Sequence, residues 1–154
     1  MRTIETKRLI LRAWTPADAP AMFEYAKSPL VGPAAGWKPH GSIDETQEYL
    51  KFAIEQDETW ATVWKETDRV IGSVGLHATG VDTVRELGYV LHPHYWDMGI
   101  MTEAAKAVIR FGFTELKLDS IRVLHNVINR RSKRVIQKCG FRYDGTLRRN
   151  TRRA

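Results

Sequence analysis

Apolar residues in this chain come in blocks whose spacing changes from one block to the next. Arg8 to Trp14 is rich in Leu and Ile and closes before Pro16, which predicts a first strand. Thr15-Pro16-Ala17-Asp18 has the chemistry of a helix start: a hydroxyl residue, a proline at the first helical position and an acid three residues after the cap. Met22, Tyr25 and Ala26 form that helix's apolar face, and Pro29 ends it. Leu30 to Gly41 contains Gly32, Pro33, Gly36 and Pro39 and reads as a loop. Ser42-Ile43-Asp44-Glu45 is a capping box, and the helix behind it sets Tyr49, Leu50, Ala53 and Ile54 on one side.

The pattern then turns β-like. Thr59 to Lys65, Val70 to His77 and Val84 to Leu91 read as three strands, with turns at Thr67-Asp68 and Thr79 to Asp82. Pro93 ends the third. Met101 to Leu116 predicts a long helix with Ala104, Ala105, Val108, Ile109 and Phe113 on one stripe. Ile121 to Val127 predicts a strand, Asn129 to Cys139 a short helix capped by Gly140, and Phe141 to Leu147 a last strand. The closing strand–helix–strand run implies parallel neighbours added to an antiparallel meander. The fold class is therefore α+β, with a mixed, mainly antiparallel sheet flanked by helices.

The 154 residues amount to one domain, 1–154, with no linker, repeat or low-complexity stretch. The longest uncharged run, Val70 to Val81, has 12 residues, too few for a membrane span of about 20. The first twelve residues are charged rather than apolar, so no export signal is expected, and one cysteine, Cys139, suits a reducing, cytoplasmic setting. Charge is lopsided. Residues 1–120 carry 13 Lys and Arg against 17 Asp and Glu, whereas residues 121–154 carry 11 basic residues and only Asp144. A basic end on an acidic body points to an anionic partner: nucleic acid, a phosphorylated cofactor or an acidic segment.

Two junctions carry candidate chemistry. Between Leu91 and the long helix lies His92-Pro93-His94-Tyr95-Trp96-Asp97-Met98-Gly99-Ile100-Met101-Thr102. A strand end, a glycine and a helix start expose backbone N–H groups at the positive end of a helix dipole, a natural seat for a pyrophosphate. The second junction is Asn129-x-x-Ser132-x-x-Val135, closing on Lys138-x-Gly140-Phe141. With Trp96-x-x-Gly99 and Thr102-Glu103-Ala104 upstream, and with Glu5-Thr6-Lys7-Arg8-Leu9-Ile10-Leu11-Arg12 at the start, this chain resembles the GNAT acetyltransferase superfamily. The same motifs, together with Glu86-Leu87-Gly88-Tyr89-Val90-Leu91, resemble its RimJ/RimL branch over residues 5 to about 149.

The resemblance implies acetyl-CoA as cosubstrate, no metal, and a V-shaped gap where two parallel strands, Val84–Leu91 and Ile121–Val127, splay apart. It implies pantetheine along the backbone of Val90, Leu91 and His92, and pyrophosphate over Asp97, Met98, Gly99, Ile100, Met101 and Thr102. The Asp97 carboxylate would then have to turn outward or cap the helix. Asn129 and Ser132 would face the pantetheine and thioester, with Ser132 protonating the thiolate, because the usual family tyrosine is replaced by Ile136. Trp37 and Tyr89 would face the acceptor. Family members continue past Leu147-Arg148-Arg149 into one further strand, so the final strand is expected to be absent from this sequence: either the natural protein is longer, or a partner supplies the strand, the bare edge then inviting a second copy to pair as a homodimer.

Glu86 sits mid-strand, where a carboxylate is either a surface acid or a group lining a wet groove, and there a general base. His77, His92, His94 and His125 are rival bases; His92-x-His94 lacks a third ligand for a metal. Cys139 reads as core packing. The expected activity is acetyl transfer to a primary amine, a protein N-terminus or a small molecule, by direct attack in a ternary complex. The alternatives are a CoA-binding domain without turnover and a basic ribosome- or RNA-associated module.

Overall fold

The computed structural model describes residues 2–31, 38–123, 130–141 and 146–148, with backbone only for 130–133. Seven strands form one sheet in sequence order: β1 (Ile4–Glu5), β2 (Leu9–Arg12), β3 (Thr59–Trp64), β4 (Arg69–Ala78), β5 (Val84–Leu91), β6 (Ser120–Val123) and β7 (Thr146–Arg148). The helices are α1 (Ala19–Ala26), α2 (Ile43–Gln56), α3 (Ile100–Thr114) and α4 (Arg130–Lys138). Every described pairing is antiparallel except β5·β6, which runs parallel from Val84↔Ser120 to Leu87↔Val123.

The two-residue alternation of the strands divides the core in two. Leu9, Leu11, Trp60, Val74, Leu76, Leu87 and Leu91 point to one face, where α3 packs Ala104, Ala105, Val108, Ile109 and Phe113 against them. Ala61, Val63, Val70 and Val90 point to the other, under α1 and Leu50 of α2. The ladder between β3 and β4 shifts register between Thr62 and Val63, and this bulge lets Ile71 share a face with Val74, three positions along, while Val70 faces the other core.

Several expectations are corrected. The strand–helix–strand run at the end of the chain does not give parallel neighbours, since β7 returns antiparallel to β6; the parallel pair is β5·β6, crossed over by α3, as the family resemblance implied. The short strand β1 was not anticipated. Two residues carry no periodicity, and the hairpin with β2 is tied by Thr6, whose N–H donates to Leu9 O at 2.9 Å while its hydroxyl accepts from Leu9 N at 3.1 Å. On α2 the inward stripe is Thr46, Leu50 and Ala53; Tyr49 and Ile54 flank it and are exposed. The helix start at Thr15 is a 3₁₀ turn, Pro16–Asp18, running into α1. Asp18 is buried there, taking two hydrogen bonds from the Arg12 guanidinium at 2.9 Å and one from Thr15 N. Trp37, Asn129 and His125 lie outside the described residues, as does the Ser132 side chain.

Gly140 caps α4 in the left-handed conformation, as its sequence position suggests. Cys139 packs against the α3-side core, and burial pushes its thiol up to about 11, against a smaller opposing pull from Lys106. That is the behaviour of a packing residue rather than a nucleophile. Among the described residues no helix is long and apolar enough to cross a membrane, and no cluster of His, Cys, Asp and Glu is arranged to hold a metal.

Candidate active site

The site grows from the far end of β5. Its ladder with β6 is described as far as Leu87↔Val123, Val123 being the last described residue of that strand, while pairing with β4 continues to Gly72↔Leu91. Among the described residues, Gly88 to Leu91 therefore have a neighbour on one side only. His92 N–H donates to Ile71 O at 2.7 Å, and His92 O accepts from Tyr95 N at 3.0 Å, so both of its main-chain groups are engaged. Alternation turns the main-chain groups of Val90 toward β4 as well, and those of Tyr89 and Leu91 toward the open side. The Leu91 carbonyl takes a hydrogen bond from Trp96 Nε1 at 2.9 Å. Trp96 thus ties the loop to the strand end through its indole.

The loop delivers the chain to α3 through two left-handed residues, Asp97 at φ 64° and Gly99 at φ 73°. Gly99 is the N-cap, and no side chain caps this helix. The first intrahelical bond of the turn is Glu103 N to Gly99 O, so the N–H groups of Ile100, Met101 and Thr102 have no helical acceptor. Ile100 and Met101 are buried against the α3-side core. A 15-residue helix with three unclaimed donors at its positive end fits an anionic phosphate group. The Asp97 carboxylate lies 3.7 Å from Arg134 Nη1 of α4, with both side chains more than half exposed.

The opening motif of the chain braces this loop. Glu103 accepts from Thr6 Oγ1 at 2.5 Å, from Arg8 N at 2.9 Å and from Arg8 Nε at 2.7 Å. Arg8 Nη1 also donates to Met98 O at 2.9 Å. Burial works to raise the Glu103 carboxyl, but these bonds and the guanidinium charge outweigh it and hold it below the ordinary carboxylate range. Sequence reasoning noticed Thr6-x-Arg8 and Thr102-Glu103 as separate motifs; their contact across 95 residues was not visible in either.

Glu86 lies on the α1/α2 side of β5, between His77 of β4 and Arg122 of β6 in register. It is half-buried and makes no hydrogen bond or ion pair among the described residues. Tyr89, three positions along, points to the opposite face and packs against the α3-side core. Ile136 is 5% exposed and buried in α4, so it offers nothing to a thioester. Burial lowers the basicity of the His92 imidazole first and His94 adds to this, against Glu24. Its Nδ1 accepts from His94 N at 3.1 Å. It is a turn-forming residue here rather than a free base.

A family model described as an acetyltransferase (GNAT) domain matches residues 8–142. A Bacillus subtilis protein described as the uncharacterized N-acetyltransferase YoaA is 32% identical over 151 residues, covering 94% of this chain and 85% of its own. A solved acetyltransferase of the GNAT family from Bacillus anthracis superposes with a TM-score of 0.85 at 25% identity, covering 94% of this chain and 86% of that one. Ribosomal-protein-S5-alanine acetyltransferase from Vibrio fischeri shares the fold at 21% identity and a TM-score of 0.74, covering 92% of this chain and 84% of its own. The matched span takes in the half-paired end of β5, the Gly99 loop and the α4 motif together, and family members use acetyl-CoA as cosubstrate. This chain belongs to the GNAT acetyltransferase family.

Proposed function

We propose that this acetyltransferase moves the acetyl group of acetyl-CoA to a primary amine by direct attack in a ternary complex, and that it stands in the RimJ/RimL-like branch. The observation that carries the reading is the end of β5, paired on one side only among the described residues, running through the Gly99 loop into an uncapped helix N-terminus. Pyrophosphate is assigned to Met98, Gly99, Ile100, Met101 and Thr102. Asp97 is turned toward Arg134, which offsets its charge beside the phosphates. The open-side backbone of Tyr89 and Leu91, next to Val90, is assigned to pantetheine; an amide chain laid there would complete the missing pairings as an added strand does. Asn129 and Ser132 are assigned to the thioester side, with Ser132 protonating the departing thiolate, and Trp37 to the acceptor wall.

A thioester needs little covalent help. It needs an amine in place, a group to take the ammonium proton and a donor for the developing oxyanion. Glu86 is the carboxylate assigned to the ammonium, directly or through water. The Vibrio fischeri structure is titled for a ribosomal-protein substrate, which makes N-terminal peptides the first acceptors to try alongside small amines; the cytoplasm is the compartment in which such acceptors occur. The test is thiol release from acetyl-CoA against a panel of both, with products identified by mass. Amine-dependent release with an acetylated amine as product is expected. Binding of acetyl-CoA with no amine-dependent release would instead make this a cofactor-binding domain without turnover.

A further inference from the structure

On the α1/α2 face of the sheet, one residue pair from Gly88, a second titratable group stands beside Glu86. His77 is the cross-strand partner of Glu86. Its Nδ1 lies 3.3 Å from Glu58 Oε1, and Glu58 is fixed in turn, because Oε2 accepts the Ala78 N–H at 3.1 Å and lies 3.8 Å from Arg85 Nη1. The Glu58 side chain is 16% exposed, whereas the His77 ring is 42% exposed. The other edge of the ring leans over Gly88: a Cβ placed there would sit 3.0 Å from Nε2 and 3.2 Å from Cδ2. Gly88 is the first β5 residue past the described part of the parallel ladder. The ring nitrogen that Glu58 does not hold therefore lies over Gly88, on the same side as Glu86.

We propose that His77, with its tautomer set by Glu58, is the proton acceptor for the amine substrate, working beside Glu86 on one proton path. The proposal rests on the acetyl-transfer reading above. A carboxylate paired to Nδ1 makes Nδ1 the N–H nitrogen and leaves the lone pair on Nε2. The substrate's ammonium N–H bond breaks, the Glu86 carboxylate takes the proton directly or across one water and passes it on, and an Nε2–H bond forms on His77. The free amine then attacks the thioester carbonyl. The imidazolium is met by the Glu58 carboxylate, and its exposed edge returns the proton to bulk water. Imidazole suits this work because its ordinary basicity lies about two units closer to an alkylammonium than a carboxylate's does. His77 would be the catalytic group and Glu58 a positioning residue.

The experiment is steady-state transfer by the full chain with its best amine. His77→Gln, close in size, is expected to lower the maximal rate by about tenfold or more, with acetyl-CoA affinity and melting temperature kept. His77→Ala should lose as much and regain part of it on adding imidazole, since Gly88 leaves room for the free ring. Glu58→Gln should lower the maximal rate while the Michaelis constant for the amine stays near that of the parent, and imidazole should not rescue it. The double variant Glu86→Gln/His77→Gln should lose little more than the worse single, as expected for groups on one path. Parent kinetics in both His77 variants overturn the proposal, as does a loss that imidazole leaves untouched and that simply adds to that of Glu86→Gln. A parent with no amine-dependent transfer overturns the acetyl-transfer reading and this proposal with it, whereas parent kinetics in the variants overturn this proposal alone.

Discussion

Glu86→Gln is expected to reduce the maximal transfer rate by about 10²-fold or more, the range over which a positioned general base acts. The substitution keeps shape and removes only charge and basicity. Because Glu86 makes no hydrogen bond or ion pair among the described residues, its loss should leave the fold and acetyl-CoA affinity close to the parent's. A carboxylate half-buried in a sheet with no partner among the described residues is available to a substrate. If the maximal rate held and only the Michaelis constant for the amine rose, Glu86 would be an anchor for the ammonium rather than a base. Parent kinetics at both levels would remove it from the site.

Trp60→Ala should cost about 3–5 kcal/mol of folding stability, the usual range for deleting a buried aromatic. Trp60 is 1% exposed, meets Phe111 of α3 edge to face at 5.3 Å between ring centroids, and donates Nε1–H to Arg2 O at 2.8 Å. It fastens the N-terminal segment and α3 to the centre of the sheet in one residue. For a chain of this length such a loss should lower the melting temperature by roughly 10 °C or more. Trp60→Phe keeps most of the packing and gives up the hydrogen bond, so about 1 kcal/mol should go instead. A denaturant titration of both variants measures the difference; equal stabilities for Trp60→Ala and the parent would contradict the packing account.

Much of the fold was legible because its signals are local. Val84–Leu91 was found at its exact bounds, and the Gly99 and Gly140 positions are both left-handed, as turn chemistry requires. What escaped was set by contacts distant in the chain. The stripe of α2 was misjudged by one turn edge, since a helix period alone does not say which side a neighbour will cover. The direction of β7 depends on which crossover closes the sheet, and that choice is tertiary. At the site, Glu86 and the Gly99 loop were named from the residues and the family resemblance. The clasp of Thr6 and Arg8 on Glu103 was not, nor was the pairing of Glu58 with His77, because register across 19 or 95 residues leaves no trace in spacing. Glu58 in particular reads as one acid among several at the end of a helix, until the sheet brings it beside an imidazole.

The central claim is that the β5–α3 junction holds acetyl-CoA, and melting with and without the cosubstrate tests it most directly. Saturation at a hundredfold excess over the dissociation constant stabilises the folded state by about 2.7 kcal/mol, a rise of roughly 5–10 °C for a chain of this length. Gly99→Val forces a β-branched residue to φ 73°, which costs about 1–2 kcal/mol and tilts the first-turn donors. The variant should still melt cooperatively but should lose the acetyl-CoA shift. A parent whose melting does not move at millimolar acetyl-CoA, or a Gly99→Val variant that keeps the full shift, would contradict the account.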